Sequence, residues 1–214
     1  MKRLKETFLP TLESVISLQD ADVLEIGCGN GSRAIEIASR CRTLTGIDPD
    51  MDLLYEAWSQ AIPNAKFQHG SAEKLDFVAA SFDVVIFTLS FHHIPIELMS
   101  MAIDEAIRVL KEHGRIVFLE PGTRGTFFEA EIAFDACDGD ERTEKLAAYQ
   151  AMRNHSGLKL VCEIPDETIF QFESIADFLI SMQPRKGTVG LRSFLEAHSF
   201  ILNAERRIDV FEIA

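Results

Sequence analysis

The chain has 214 residues, 47% of them hydrophobic, and a formal net charge of -13. That length fits one domain able to bury an apolar core without disulfide or metal staples. Its only basic bursts, Lys2-Arg3-Lys5 and Arg185-Lys186, read as solvated surface, which argues against a nucleic-acid partner, whose phosphates call for a basic stripe.

The four cysteines, Cys28, Cys41, Cys137 and Cys162, include no C-x-x-C pair, so their spacing yields no zinc set and no metal is expected. Cys137 and Cys162 could form a thiol pair for a soft substrate, but buried cysteine is more often a small apolar residue. No apolar stretch approaches the ~20 residues of a membrane span.

In chain order, residues 1–20 read as an N-terminal helix. They carry Glu6 and Glu13 and lack a continuous apolar core, so no secretory leader is expected and the expected compartment is the cytoplasm. Val23, Leu24 and Ile26 then give the apolar run of a short buried strand, and Ser32–Ser39 reads as a helix with Ala34, Ile35 and Ala38 on one face. Gly27, Gly29 and Gly31 fall at the turn between them. Glycine there permits positive φ and lets a ligand approach the backbone closely.

The glycine spacing discriminates between ligands. A dinucleotide fingerprint is G-x-G-x-x-G, whereas here the third glycine follows the second by two residues and Glu25 sits just ahead of the turn. An acidic neighbour suits a ligand ammonium better than a pyrophosphate.

Thr43–Ile47 reads as a second strand ending at Asp48, which lies ~20 residues past the turn, where Rossmann-type folds place a ribose-binding carboxylate. Lys66–His69 is a third strand, followed by Gly70-Ser71-Ala72-Glu73. Phe82–Thr88 is a nearly continuous apolar run, as in a central parallel strand covered on both faces, and His92-His93 comes just after it. Leu98, Met101, Ala102, Ala106, Val109 and Leu110 recur at helical spacing, and Gly114 is expected to end that helix. Arg115–Leu119 is the next strand, leading to Glu120-Pro121.

This alternation predicts an α/β, Rossmann-like, doubly wound and mostly parallel seven-stranded sheet, with an antiparallel edge strand and a helical insertion after strand five. The insertion is Phe127–Gly157, with apolar stripes Phe127, Phe128, Ile132, Ala133, Ala136 and Leu146, Tyr149, Met152 around an acidic turn at 135–144. It is read either as a lid over the open end of the sheet or as ordinary core. Lys159–Phe172 holds a further strand, Ser174–Met182 and Gly190–His198 short helices, and Arg206–Ala214 a terminal strand. Which of the last two strands lies outermost is open. The chain is read as a single domain: a cofactor-binding core at 21–122, an insertion and strand at 123–182, and a helix and strand at 183–214.

The stretch VLEIGCGNG, in its E-x-G-C-G-N-G form, resembles motif I of the class I S-adenosylmethionine-dependent methyltransferases. FDVVIFTLSFHHI and RVLKEHGRIVFLEPG resemble the fourth strand and the following helix and strand of the small-molecule group that includes the ubiquinone and menaquinone biosynthesis enzymes. The resemblance covers residues 22–122. It implies S-adenosylmethionine as cofactor, with Glu25, Gly27, Cys28, Gly29, Asn30 and Gly31 around the methionyl part. It also implies Asp48 on the ribose, Ser71 and Ala72 at the adenine, and Thr88 beside the sulfonium. Ser71 stands where the family often has Asp, and a hydroxyl accepts from the adenine amine more weakly.

Methyl transfer needs mainly positioning, and alignment of the reactants is worth ~7–11 kcal/mol. His92 and His93 are the candidate catalytic residues, to orient or deprotonate an acceptor, with Glu120 a second polar candidate. The expected partner is a small-molecule methyl acceptor, and a monomer or homodimer is equally compatible with the sequence. The alternatives are a nicotinamide oxidoreductase, against which the glycine step argues, a non-methylating protein that keeps the cofactor pocket, and a protein or RNA methyltransferase.

Overall fold

A computed structural model describes residues 1–214. Eight strands form one sheet: β1 (Lys2–Lys5), β2 (Asp22–Ile26), β3 (Thr43–Asp48), β4 (Ala65–His69), β5 (Phe82–Thr88), β6 (Leu110–Pro121), β7 (Leu158–Gln171) and β8 (Ile201–Ile213), in the order β1-β7-β8-β6-β5-β2-β3-β4. The helices are α1 (Phe8–Glu13), α2 (Ala34–Ala38), α3 (Met51–Ser59), α4 (Met99–Val109), α5 (Thr126–Phe134), α6 (Arg142–Asn154), α7 (Ile175–Met182) and α8 (Leu191–Ala197).

β2 to β6 are mutually parallel, and their side chains feed two cores by simple alternation. Val84 and Ile86 of β5 join Phe8 and Leu12 of α1, Ile37 of α2 and Leu54 of α3 on one face. Val85 and Phe87 join Ala102, Ile103 and Ala106 of α4 and Met152 of α6 on the other. A strand buried on both faces must be apolar at every position, which is why FDVVIFT reads as it does. A third core, built by Phe134, Phe178, Leu191, Leu195 and Leu202, ties α5, α7 and α8 to the far part of β7 and β8.

The structure corrects the sequence-based expectation at four points. The sheet has eight strands and not seven. The chain begins with a strand and not a helix running through residues 1–20: Lys2–Lys5 pairs antiparallel with β7, Arg3 opposite Phe170, and the Lys5 carbonyl accepts from Thr168 Oγ1 at 2.9 Å. All four of its side chains are exposed, so no periodicity marks it, while lysines suit an edge that must not recruit another strand. Two strands, β8 and β1, and not one, run against the parallel set: β8 lies between β6 and β7, which share one direction, and β1 is outermost. Gly114 does not end α4. The helix stops at Val109 because Leu110 is extended (φ -74°, ψ 137°) and pairs with Phe82. Gly114 lies inside β6, where a Cβ would come within 2.8 Å of the Asp83 carbonyl.

The antiparallel half is fastened by Arg206 of β8. Its Nε donates to Asp166 Oδ2 at 2.8 Å and its Nη2 to Glu6 Oε1 at 2.6 Å, and Glu6 also meets Arg33 Nη1 at 3.3 Å. One buried guanidinium thus joins β7, β8, the β1–α1 linker and the segment ahead of α2. No helix is long and apolar enough to cross a membrane.

Candidate active site

β2 and β5 are neighbours whose crossovers run to opposite sides of the sheet, and a ligand crevice opens beyond their C-terminal ends. The chain leaves β2 through Gly27, Gly29 and Gly31, at φ of +74°, +52° and +77°. The N–H groups of Gly27 and Cys28 donate to the Ile47 carbonyl at 2.8 and 3.0 Å, which locks the turn to β3. Asp48, at the end of β3, accepts from the Gly29 N–H through Oδ2 at 2.8 Å and from the Asp50 N–H through Oδ1 at 2.9 Å. It therefore fixes both rims of the crevice.

The crevice is a cavity of about 660 Å³ lined by Ile26, Gly27, Gly29, Asp48, Pro49, Asp50, Leu53, Gly70, Ser71, Ala72, Glu73, Leu89, Ser90, His93, Ile94 and Pro95. A group docked at Gly29 meets bare backbone, since a Cβ built there would have nothing within 4 Å. Glu25 is wholly buried behind the turn. Thr88 Oγ1 donates to its Oε1 at 2.7 Å, and its Oε2 has no partner. Burial, only partly offset by Thr88 and Arg33, pushes its carboxyl up to about 7. An open glycine turn, a buried carboxylate at its rim and an orphaned carboxylate oxygen behind the turn fit a nucleoside that carries an ammonium.

Next to this crevice, under α5 and α6, lies a second cavity of about 230 Å³. Phe127, Phe128 and Phe170 give it apolar wall, and His92, His93, Glu131, Asp138, Glu141 and Lys145 its polar one. Glu120, at the end of β6, is buried beneath it and accepts from the N–H groups of Ser90 and Phe91 at 3.2 and 3.0 Å. Its other oxygen lies 2.5 Å from His92 Nδ1. His93 Nδ1 faces Glu141 Oε1 at 3.3 Å, and hydrogen bonding to Glu141, opposed by burial, raises the imidazole pKa. Lys145 Nζ stands 4.2 Å from the centre of the Phe128 ring. Burial pushes the Glu131 carboxyl up to about 7 in spite of Lys145, and burial pushes the Cys137 thiol up to about 12.

Over residues 23–114 the sequence matches the methyltransferase domain family. That stretch resembles an S-adenosylmethionine-dependent methyltransferase domain. S-adenosylmethionine is the cofactor of that family. A curated relative from Bacillus cereus, described as an uncharacterized methyltransferase, is 28% identical over 162 residues, covering 75% of this chain and 72% of its own. The methyltransferase YcgJ of Bacillus subtilis is 32% identical over 102 residues, 46% of this chain and 40% of that one. A further relative from Bacillus velezensis is 28% identical over 58% of this chain, and the match spans only 56% of its own length.

Among solved structures, YcgJ has a TM-score of 0.62 at 17% identity, covering 95% of this chain and 96% of that one. A methyltransferase from Methanosarcina mazei has a TM-score of 0.61 at 15% identity, covering 94% and 96%. These structural likenesses concern the fold.

Five of the ten cofactor residues expected from sequence line the larger cavity: Gly27, Gly29, Asp48, Ser71 and Ala72. Glu25, Cys28, Asn30, Gly31 and Thr88 do not. Cys28 turns its thiol inward against Gly46, Asn30 Nδ2 donates to Glu56 at 3.1 Å, and Thr88 is occupied by Glu25. His92 and His93 both line the smaller cavity, and Glu120 serves as the anchor of His92 rather than as a free crevice group. Cys137 packs with the third core and Cys162 against the first, so they form no thiol pair.

Sequence reasoning missed Leu89 and Ser90. Leu89 adopts φ +57° and lines both cavities, and Ser90 Oγ donates to the Ile26 carbonyl at 2.6 Å. Only contact across the β2–β5 pair reveals them. A Cβ on Gly27 would lie 2.3 Å from Ser90 Cβ. Gly27→Ala is therefore expected to lower stability by about 1–3 kcal/mol and to abolish the thermal shift given by S-adenosylhomocysteine. Gly29→Ala, with open space around it, should retain a smaller shift; equal behaviour of the two variants would refute the clash.

Proposed function

We propose that this chain transfers a methyl group from S-adenosylmethionine to a small-molecule acceptor held in the cavity under α5 and α6. The observation that carries this reading is the shared wall. Leu89 and His93 line both the cofactor crevice and the smaller cavity, so two ligands would meet across them. A volume of about 230 Å³ suits a compact molecule, and the net charge of -13 disfavours a polyanion. The resemblance of the 82–94 stretch to the quinone-biosynthesis group supports the same acceptor class.

When bound, S-adenosylmethionine supplies an electrophilic methyl carbon on a sulfonium. The chain's own part is to place the partners. Asp48 would hold the ribose hydroxyls, and the Gly27–Gly29 backbone would border the methionyl group. Ser71 and Ala72 would flank the adenine, and Glu25, through its free Oε2, would favour the ammonium. The three phenylalanines exclude water from the acceptor. Glu120 holds His92 through Nδ1, leaving Nε2 to face the acceptor cavity, and either His92 or His93 can orient the acceptor or take its proton.

Incubation with S-adenosylmethionine and a panel of small phenols, thiols, amines and carboxylates tests this. S-adenosylhomocysteine should form, with labelled methyl recovered in the small-molecule fraction. Label recovered only on protein or RNA, or no turnover from protein that binds the cofactor product, would overturn the acceptor class.

A further inference from the structure

Two histidines adjacent in sequence and a carboxylate remote from them converge on one point at the edge of the smaller cavity. His93 Nδ1 is 3.3 Å from Glu141 Oε1, and His92 Nε2 is 3.7 Å from Glu141 Oε2. One donor atom from each of the three residues lies within 4.8 Å of the others. A tetrahedral zinc-class ion with bonds of about 2.0–2.2 Å places neighbouring donors about 3.3–3.6 Å apart. The His93–Glu141 and His92–Glu141 pairs stand close to that spacing, through different oxygens of the one carboxylate.

Two independent features point the same way. Glu120 Oε2 lies 2.5 Å from His92 Nδ1, and Glu120 is itself pinned by the backbone of the His92–His93 turn. A carboxylate on the distal nitrogen sets the tautomer and aims the other lone pair outward, as in metal-ligating histidines. The charge balance is the second feature. Glu131 and Asp138 border the same cavity, and Lys145 is the one cation shared with them, 3.5 Å from Glu141 and 3.9 Å from Glu131. The other cavity cations are engaged elsewhere, Arg206 by Glu6 and Asp166, Arg124 by Glu205, and Arg3 by Glu6. The space is short of positive charge.

The geometry points to a binding site for one divalent, zinc-class metal ion on His92 Nε2, His93 Nδ1 and Glu141. Three protein ligands leave a coordination position open, as in catalytic sites. All three residues line the acceptor cavity, so a molecule held there would be within reach of that position. The further role it implies rests on the acceptor reading above: an oxygen or sulfur of the acceptor would coordinate there and release its proton to water more readily, the histidines then binding metal instead of taking that proton themselves.

The test is direct. The full chain, stripped with a chelator, is titrated with zinc chloride against a chromophoric competitor. Binding of about one equivalent is expected, weakened by about tenfold or more in Glu141→Gln and His93→Ala and unchanged in His113→Ala, whose imidazole is exposed beside Glu112. Glu141 does not line the cofactor crevice, so Glu141→Gln should still bind S-adenosylhomocysteine by calorimetry, which shows that it is folded. Wild-type protein that binds zinc no more tightly than Glu141→Gln overturns the site. Zinc bound through these residues by a chain that methylates no small molecule would leave the site standing and overturn the acceptor reading alone.

Discussion

Replacement of Asp48 by alanine is expected to raise the dissociation constant for S-adenosylhomocysteine by on the order of a hundredfold or more. Hydrogen bonds to a charged group contribute about 1.5–3 kcal/mol each, and this carboxylate is proposed to hold two ribose hydroxyls. It does so while also receiving the Gly29 and Asp50 N–H groups, so the substitution removes the ligand's partner and slackens the rim that carries it. Asp48→Asn keeps one oxygen and should fall between wild type and alanine. Calorimetry on the three proteins decides the matter. A change smaller than about fivefold in Asp48→Ala would show that the ribose is held elsewhere.

The largest effect on stability is expected at Arg206. Its side chain is 2% exposed and faces Asp166, also 2% exposed, and Glu6. Removing one partner of a buried ion pair costs about 3–5 kcal/mol, because the opposite charge stays buried and uncompensated. Arg206→Ala should lower the urea midpoint by the corresponding amount, with an unchanged slope. Loss of less than about 1 kcal/mol would mean that water reaches the site.

The same network sets a pH dependence. Burial works against the Glu6 charge, but the hydrogen bond from Arg206 and the charges of Arg33 and Arg206 outweigh it and bring the carboxyl down to about 2. A carboxyl lowered on folding contributes stability that is present above its ordinary value near 4.5 and is lost as pH falls towards 2. That acid limb should flatten in Arg206→Ala, because the cation that lowers Glu6 is gone.

The parallel core was legible because its physics is local. A strand covered on both faces is apolar at each step, as Val84 to Phe87 are, and a turn that must present bare backbone needs glycine, as at Gly27 and Gly29. Asp48 was legible for the same reason, lying one strand beyond that turn. β1 was not legible, since a charged edge strand has no apolar face and is defined only by its hydrogen bonds to β7. The end of α4 was misplaced because Gly114 is a plausible helix terminator in sequence, while the chain is in fact drawn into β6 by pairing with Phe82.

By itself, then, the sequence determined the alternating architecture, the glycine turn and the carboxylate that faces it, all consequences of short-range periodicity and steric need. The tertiary structure decided the rest. It placed Glu25 behind the turn with a free oxygen, brought Leu89 and Ser90 to the wall of the larger cavity, set β8 between β6 and β7, and carried Glu141 from the insertion to His92 and His93. These are meetings of residues distant along the chain, and no local pattern encodes them. They follow from how the two apolar faces of the sheet and the helices of the insertion bury one another.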